Sequence, residues 1–405
     1  MVAAATGAGV VSDWPQIDGV QVYLVGGAVR DQLLELPVHE RDWVVVGGDE
    51  ARMLAAGFRR ADSEFPVFLH PDSGEEFALA RTETKTGAGY KGFAVQVGPD
   101  VTLEADLRRR DLTINAMALD QQGRLIDPLH GRDDLENGRL RHISDAFIED
   151  PVRLLRLARF AAKLGRWGFR VAHSTHRLLQ QMAASDDLLS LKPERIWREM
   201  EKSLAELQPW RFFEVLQRCG ALQRLLPELD TALGSSAGHA KQSETDGFAA
   251  LKRASGISTE SHVRFAALFY PLLGPGGDVQ ALVRQLRAGR AYADLLRQLQ
   301  QADRGGFLAA APEALLDTVS GLKPQQQPHR LAGFVAAAKA LWPGPMQRLA
   351  PQIELACRAL AEVDARQLQA TGLQGAELGQ ALRQWRLQRL EQWLRDADLN
   401  GEESC

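Results

Sequence analysis

Residues 22–47 read VYLVGGAVRDQLLELPVHERDWVVVG, and the order of features within this stretch decides the fold of the N-terminal part. An apolar run ends at Val25, Gly26 and Gly27 follow, AVRDQLLEL has helical character, and a β-branched run opens at Asp42. Strand, glycine turn, helix and strand is an α/β pattern. Glycines at such a turn let the backbone approach a ligand, and a helix start offers unpaired N–H groups to a phosphate. Arg30 adds a planar cation suited to phosphate oxygens. A plain turn that uses glycine for geometry explains these residues equally well. The next element shifts the balance. Glu40 and Asp42 lie two apart at the head of the second strand, so the spacing predicts that both carboxylates share one face beside the glycine turn. Paired carboxylates near a phosphate cradle suit Mg²⁺, which takes one or two carboxylates plus phosphate oxygens. A solvated strand end would also carry charge, but does not account for the proximity to the glycine turn.

Further short runs at 75–81, 93–98 and 114–119 read as strands. Glu76 offers another acidic group, with Glu75 beside it leaving the choice open. In DLRRRDLTINAMAL, Arg108, Arg109 and Arg110 are consecutive, so they cannot all face one ligand; Arg110 is expected to turn inward and the others to meet solvent or RNA. Asp111 and Asn115 read as local caps or turn-formers. Residues 151–170 carry six cations, Arg153, Arg156, Arg159, Lys163, Arg166 and Arg170, and no carboxylate. Spacings of three and four place them along one helical stripe, with Leu154, Leu157, Phe160, Ala161 and Leu164 on the buried side. An ordinary solvated face mixes signs, so the stripe argues for a polyanion. Asp150 reads as an N-cap ahead of Pro151, and Asp150 with Arg153 could read base edges through hydrogen bonds.

Beyond about residue 150, strand signals nearly vanish and helical segments are broken at Pro193, Pro227, the polar stretch 233–247, Pro324 to Pro328 and Pro343-Gly344-Pro345. With 405 residues, 45% hydrophobic, the chain has material for two to four domains. A formal net charge of -4 excludes a global basic field, so any polyanion site is local. Cys219, Cys357 and Cys405 are far apart, which supports neither a disulfide framework nor a zinc site. No basic leader and no apolar run long enough for a membrane span are evident, so a soluble, cytoplasmic protein is expected.

Taken together, YLVGGAVRD, RDWVVVG, FPVFLHPDSGEEFALARTE, LRRRDLTINAMA, EDPVRLLRLARF and PERIWREM resemble the class II tRNA nucleotidyltransferase family, specifically the bacterial CCA-adding enzymes. The resemblance covers residues 22–230 and reappears in ATGLQGAELGQAL. It implies an α/β nucleotidyltransferase head with a small mixed sheet at 1–140, followed by an all-α neck at 141–200, body at 201–232 and tail at 233–405. It implies that Gly27 and Arg30 contact incoming CTP or ATP, that Glu40 and Asp42 hold Mg²⁺, and that Arg110, Arg156 and Arg159 bind triphosphate. Asp150 and Arg153 would form the protein template that selects cytosine or adenine. The partners implied are tRNA, CTP and ATP, with neither a membrane nor an obligatory protein partner. ETKTGAGYKGF matches the family's flexible loop. Gly87, Gly89 and Gly92 also fit GxGxxG, but no helix pattern follows them, so a dinucleotide site is rejected.

The sequence departs from the family in two places. The family's Asp-x-Asp is Glu40-Arg41-Asp42 here, which moves the first ligand's oxygens by roughly 1 Å, and a shift of that size can cost about 100-fold in rate. Many proteobacterial relatives carry a phosphohydrolase domain with a His-Asp dyad, whereas FAALFYPLLG has Phe269 and Tyr270 in its place. His173 and His176 lack carboxylate or cysteine company and read as surface or core residues. The expected activity is stepwise addition of C, C and A to the 3′ end of tRNA with release of pyrophosphate. The alternatives are a poly(A) polymerase with the same catalytic domain and, because of Glu40, a catalytically impaired tRNA-binding protein.

Overall fold

The computed structural model describes residues 14–61, 66–85, 93–234, 247–362 and 373–402. The chain forms two compact units: Met1–Lys192 with Arg211–Arg224, and Pro193–Trp210 with Leu225–Cys405. The flexible-loop residues 86–92, including the rejected Gly87, Gly89 and Gly92, lie outside the described residues.

In the first unit, β1 (Gln21–Val25) is followed by α1 (Gly27–Leu33), β2 (Asp42–Val46), α2 (Glu50–Ala55), β3 (Arg59–Arg60), β4 (Val67–Leu69) and β5 (Glu76–Leu79). A hairpin of β6 (Arg81–Lys85) and β7 (Phe93–Val97) precedes α3 (Leu103–Arg108), β8 (Ala118–Leu119) and β9 (Leu125–Ile126). Seven of these strands form one mixed sheet in the order β3-β4-β5-β2-β1-β8-β9. β2 lies at its centre, antiparallel to β1 and parallel to β5. Trp43, Val44 and Val45 are each about 1% exposed, so both faces of the sheet are covered at this strand. Trp43 stacks on Phe77 with ring centroids 5.5 Å apart. Val44 joins Val25, Leu107, Ala116 and Ala118 in a buried cluster. Burying each of the larger side chains is worth about 1.5–3 kcal/mol, which anchors the edge of β2 that carries Asp42.

The reading of 114–119 as a strand is only partly correct. Residues Thr113–Asn115 form a short 3₁₀ turn, and pairing begins at Ala118. After α4 (Gly131–Glu136) and β10 (Arg139–Leu140) comes α5 (Val152–Leu164), then β11 (Arg170–Val171) and α6 (His173–Ala184). α5 buries Leu154, Leu157, Phe160, Ala161 and Leu164 as expected. The cationic stripe, however, is shorter than its spacing suggested. Arg166 sits on a 3₁₀ turn and Arg170 on β11, because the helix ends at Gly165 and Gly168 adopts φ +84°.

In the second unit every described element is helical. Helices begin at Pro193, Pro227, Pro328 and Pro343, each a position where a missing N–H and a fixed φ favour helix initiation. Phe269 and Tyr270 are 0% and 5% exposed within the helix Ser261–Leu273, and the Tyr270 hydroxyl donates to Asp303 at 2.5 Å. No helix among the described residues is long and apolar enough to cross a membrane.

Candidate active site

The site lies where β1 ends beside β2. Asp42, the first residue of β2, is the register partner of Val25, directly ahead of the Gly26–Gly27 turn. Gly26 adopts φ +73°, and a Cβ there would lie 2.9 Å from Arg110 Nη1. Glycine is therefore required on two grounds, backbone conformation and the close approach of Arg110. Gly27 opens α1 and is part-exposed. α1 has only seven residues, so its dipole is a minor influence and the charged side chains dominate.

Asp42 is solvent-accessible, yet protein surrounds it closely enough to matter electrostatically. Desolvation raises its pKa and the Glu40 carboxylate adds to the rise, while Arg110 and Arg156 oppose it. Glu40, Asp42, Arg110 and Arg156 thus share one electrostatic environment, although they come from three separate segments. Glu40 precedes β2 and lies outside the strand, so the same-face argument from strand alternation does not apply to it. Its charge reaches Asp42 nonetheless. Asp42 is also in register with Glu76 on the parallel neighbour β5, where partners share a face. Glu75 faces elsewhere: it accepts a 3.0 Å hydrogen bond from Trp43 Nε1 and pairs with Arg41 at 3.6 Å.

The three consecutive arginines divide their tasks. Arg108 pairs with Glu104 at the surface, and Arg110 turns inward as expected. Arg109 does not meet solvent freely: it pairs with Asp106 at 2.6 Å and with Glu83 at 3.0 Å. Asp106 is fully buried and also pairs with Arg110 at 3.1 Å. Burial would raise its pKa, but the two guanidinium groups and their hydrogen bonds outweigh that and hold it low. Asp106 was missed in the sequence reading, although an acid three and four residues before two arginines on a helix is a legible signal.

The N-cap of α5 is Pro151, not Asp150 as expected; Asp150 stands one residue earlier, and its Oδ1 accepts the Val152 N–H at 3.1 Å. Arg153 donates to the carbonyls of Ala146 at 3.2 Å and Arg109 at 3.0 Å, which ties it to the arginine segment. Arg156 grips Asp111, while Arg159 lies over the Phe160 ring, 4.7 Å from its centroid. Asp111 and Asn115 do more than cap a turn. Asn115 Nδ2 donates to Asp111 Oδ1 at 3.2 Å, and both residues are buried. Arg30 is held among protein partners. It is 3% exposed, and its donors are directed into the protein, to Asp31 and Asn115.

Glu40 and Asp42 could offer oxygen ligands to a divalent ion, and Glu76 is the register partner of Asp42. Among the described residues no three His, Cys, Asp or Glu side chains form a preassembled metal cluster. Two carboxylates nevertheless fit a hard cation whose remaining ligands come from phosphate and water. The raised pKa of Asp42 fits as well, since a cation would offset the desolvation that mainly causes it, together with the smaller contribution of the Glu40 charge.

Residues 22–141 match the family described as "Poly A polymerase head domain", and residues 168–233 match "Probable RNA and SrmB- binding site of polymerase A". The chain is 44% identical over 405 residues to the multifunctional CCA protein of Thioalkalivibrio sulfidiphilus, covering 92% of this chain and 98% of that one. It is 43% identical to the CCA-adding enzyme of Pseudomonas putida strain W619, covering 94% and 100% respectively. Its fold resembles the Bacillus stearothermophilus CCA-adding enzyme in complex with CTP, with TM-score 0.65, 23% identity and 96% and 95% coverage. The Thermotoga maritima CCA-adding enzyme complexed with tRNA gives a TM-score of 0.66 at 22% identity, covering 93% and 92%. With its sheet, its acidic edge and these relatives in agreement over nearly the whole length, the chain belongs to the CCA-adding enzyme family of tRNA nucleotidyltransferases.

Proposed function

We propose that this chain adds C, C and A stepwise to the 3′ end of tRNA from CTP and ATP, releasing pyrophosphate. The observation that carries the reading is the position of Asp42 at the head of β2, in register with Val25 directly ahead of the glycine turn that Arg110 approaches. Acids and cations gathered from separate segments suit a triphosphate and its metal, not a plain strand end. Glu40 and Asp42 would hold Mg²⁺, which when bound supplies charge neutralisation at the phosphates and at the attacking hydroxyl. Arg110, Arg156 and Arg159 bind the triphosphate, Gly27 lets the nucleotide approach the backbone, and Asp150 with Arg153 select the base. Asp150 and Arg153, held by the Val152 N–H and by the carbonyls of Ala146 and Arg109, discriminate by the hydrogen-bond fit of the base edge presented to them. The tRNA is held by shape and backbone charge, in a cytoplasmic setting, by a head at 1–140, neck at 141–200, body at 201–232 and tail at 233–405. Phe269 and Tyr270, both buried, stand where the relatives' His-Asp dyad would be, so phosphohydrolase activity is not expected of the tail.

The head-domain match favours a second reading, poly(A) addition. Product length separates the two. Purified protein with Mg²⁺, CTP and ATP should extend a tRNA ending before CCA by three nucleotides. A long A-tail selects the second reading, and tRNA binding without incorporation in Mg²⁺ or Mn²⁺ identifies a catalytically impaired binder.

A further inference from the structure

Asp31 is an acid with no evident part in nucleotide chemistry, yet it holds two cations from different elements. Its Oδ1 accepts from Arg30 Nε at 2.8 Å, and its Oδ2 meets Lys163 Nζ, in the last turn of α5, at 2.9 Å. Arg30 Nη1 donates to Asn115 Oδ1 at 2.5 Å, Asn115 donates to Asp111, and Asp111 accepts from Arg156 Nε at 2.8 Å. Arg30 also lies 5.2 Å from the centroid of the Phe160 ring. Arg156, Phe160 and Lys163 occupy positions i, i+4 and i+7 of α5, one face of the helix. That face is therefore docked at both ends and in the middle by a chain of polar contacts running through Arg30.

Lys163 is thus part of an internal clamp, not of a ligand-binding stripe. We propose that the Asp31–Lys163 ion pair is a positioning device for nucleotide selection, setting the tilt and rotation of α5 and hence the aim of Asp150 and Arg153. A tilt about Arg156 that moves Lys163 by roughly 1 Å moves the Arg153 backbone by roughly 0.4 Å, close to the tolerance of about 0.5 Å for a working site. The pair is half shielded, with side-chain exposures of 28% and 13%, so solvent screening weakens it without abolishing it. The inference rests on the nucleotidyl-transfer reading and on Asp150 and Arg153 as selectors.

The test compares full-length wild type with Lys163→Met, Lys163→Arg and Asp31→Asn. For each, kcat and KM are measured for CTP, ATP and UTP on a tRNA ending before CCA, along with the thermal midpoint. Lys163→Met should lower the CTP-over-UTP preference about tenfold, mainly through KM, with kcat for CTP changed less than about threefold. Lys163→Arg should restore the preference, and Asp31→Asn should reproduce the Lys163→Met result. If Lys163→Met does not fold, Lys163→Gln carries the same expectation. An unchanged preference, or an equal fall in kcat for every nucleotide, overturns the proposal. An inactive wild type instead overturns the nucleotidyl-transfer reading itself.

Discussion

Arg156 grips Asp111 through two nitrogens, Nε and Nη2, each 2.8 Å from Oδ2, and so joins α5 to the turn after α3. Burial alone would raise the Asp111 pKa. The charge of Arg156, together with hydrogen bonds from Asn115, Arg156 and the Leu112 N–H, outweighs burial and brings it from 3.8 down to about 2. A carboxylate depressed in the folded state stabilises the fold above its unfolded pKa and loses that contribution as pH falls through the folded value. Asp111→Asn should therefore be less stable at pH 7 by about 2 kcal/mol, with the difference shrinking between pH 3.8 and 2. Denaturation monitored across that range checks it; a difference that grows on acidification contradicts it.

Gly26→Ala places a Cβ at φ +73°, 2.9 Å from Arg110 Nη1. The backbone penalty is about 1–2 kcal/mol, and Arg110 must move. Incorporation should fall about 100-fold while the protein stays folded. Steady-state kinetics with circular dichroism would test this, and activity within threefold of wild type would count against the close approach.

The acidic pair gives an asymmetric expectation. Asp42→Asn should lose roughly 1,000-fold in rate, since several kcal/mol of charge stabilisation depends on that carboxylate. Glu40→Asp shortens the side chain by one methylene and should raise the rate or leave it unchanged. Chelation by EDTA should stop incorporation, and added Mg²⁺ should restore it. A slower Glu40→Asp enzyme would show that the strand edge has adapted to glutamate.

In the second unit, Tyr270→Phe removes a hydroxyl that donates to Asp303 at 2.5 Å. Stability should drop by about 1–3 kcal/mol, with CCA addition unaffected at temperatures where the protein remains folded. Wild type should hydrolyse neither phosphomonoesters nor cyclic phosphodiesters with any divalent metal; measurable turnover of either would restore a hydrolase role to this unit.

The outline of the fold was legible because local signals agreed with it: β-branched runs for β1 and β2, glycines between, and prolines at helix starts in the second unit. The inward turn of Arg110 and the buried face of α5 were legible for the same reason. Periodicity gave the direction of side chains but not their partners. Lys163 and Arg156 look alike on a helical wheel, yet one pairs with Asp31 and the other with Asp111, 132 and 45 residues away. Arg30 is legible as a cation after a glycine turn, but its partners, Asp31 beside it and Asn115 85 residues away, are not legible from that turn. Glu40 fell outside β2 because pairing with Val25 begins only at Asp42.

The most direct test of the central claim is nucleotide choice on three tRNAs, ending before CCA, after C and after CC, each offered CTP, ATP or both. The enzyme should add C to the first two and A to the third, and stop once CCA is complete, all abolished in Asp42→Asn. Continued A addition past CCA, or full activity in Asp42→Asn, would contradict it.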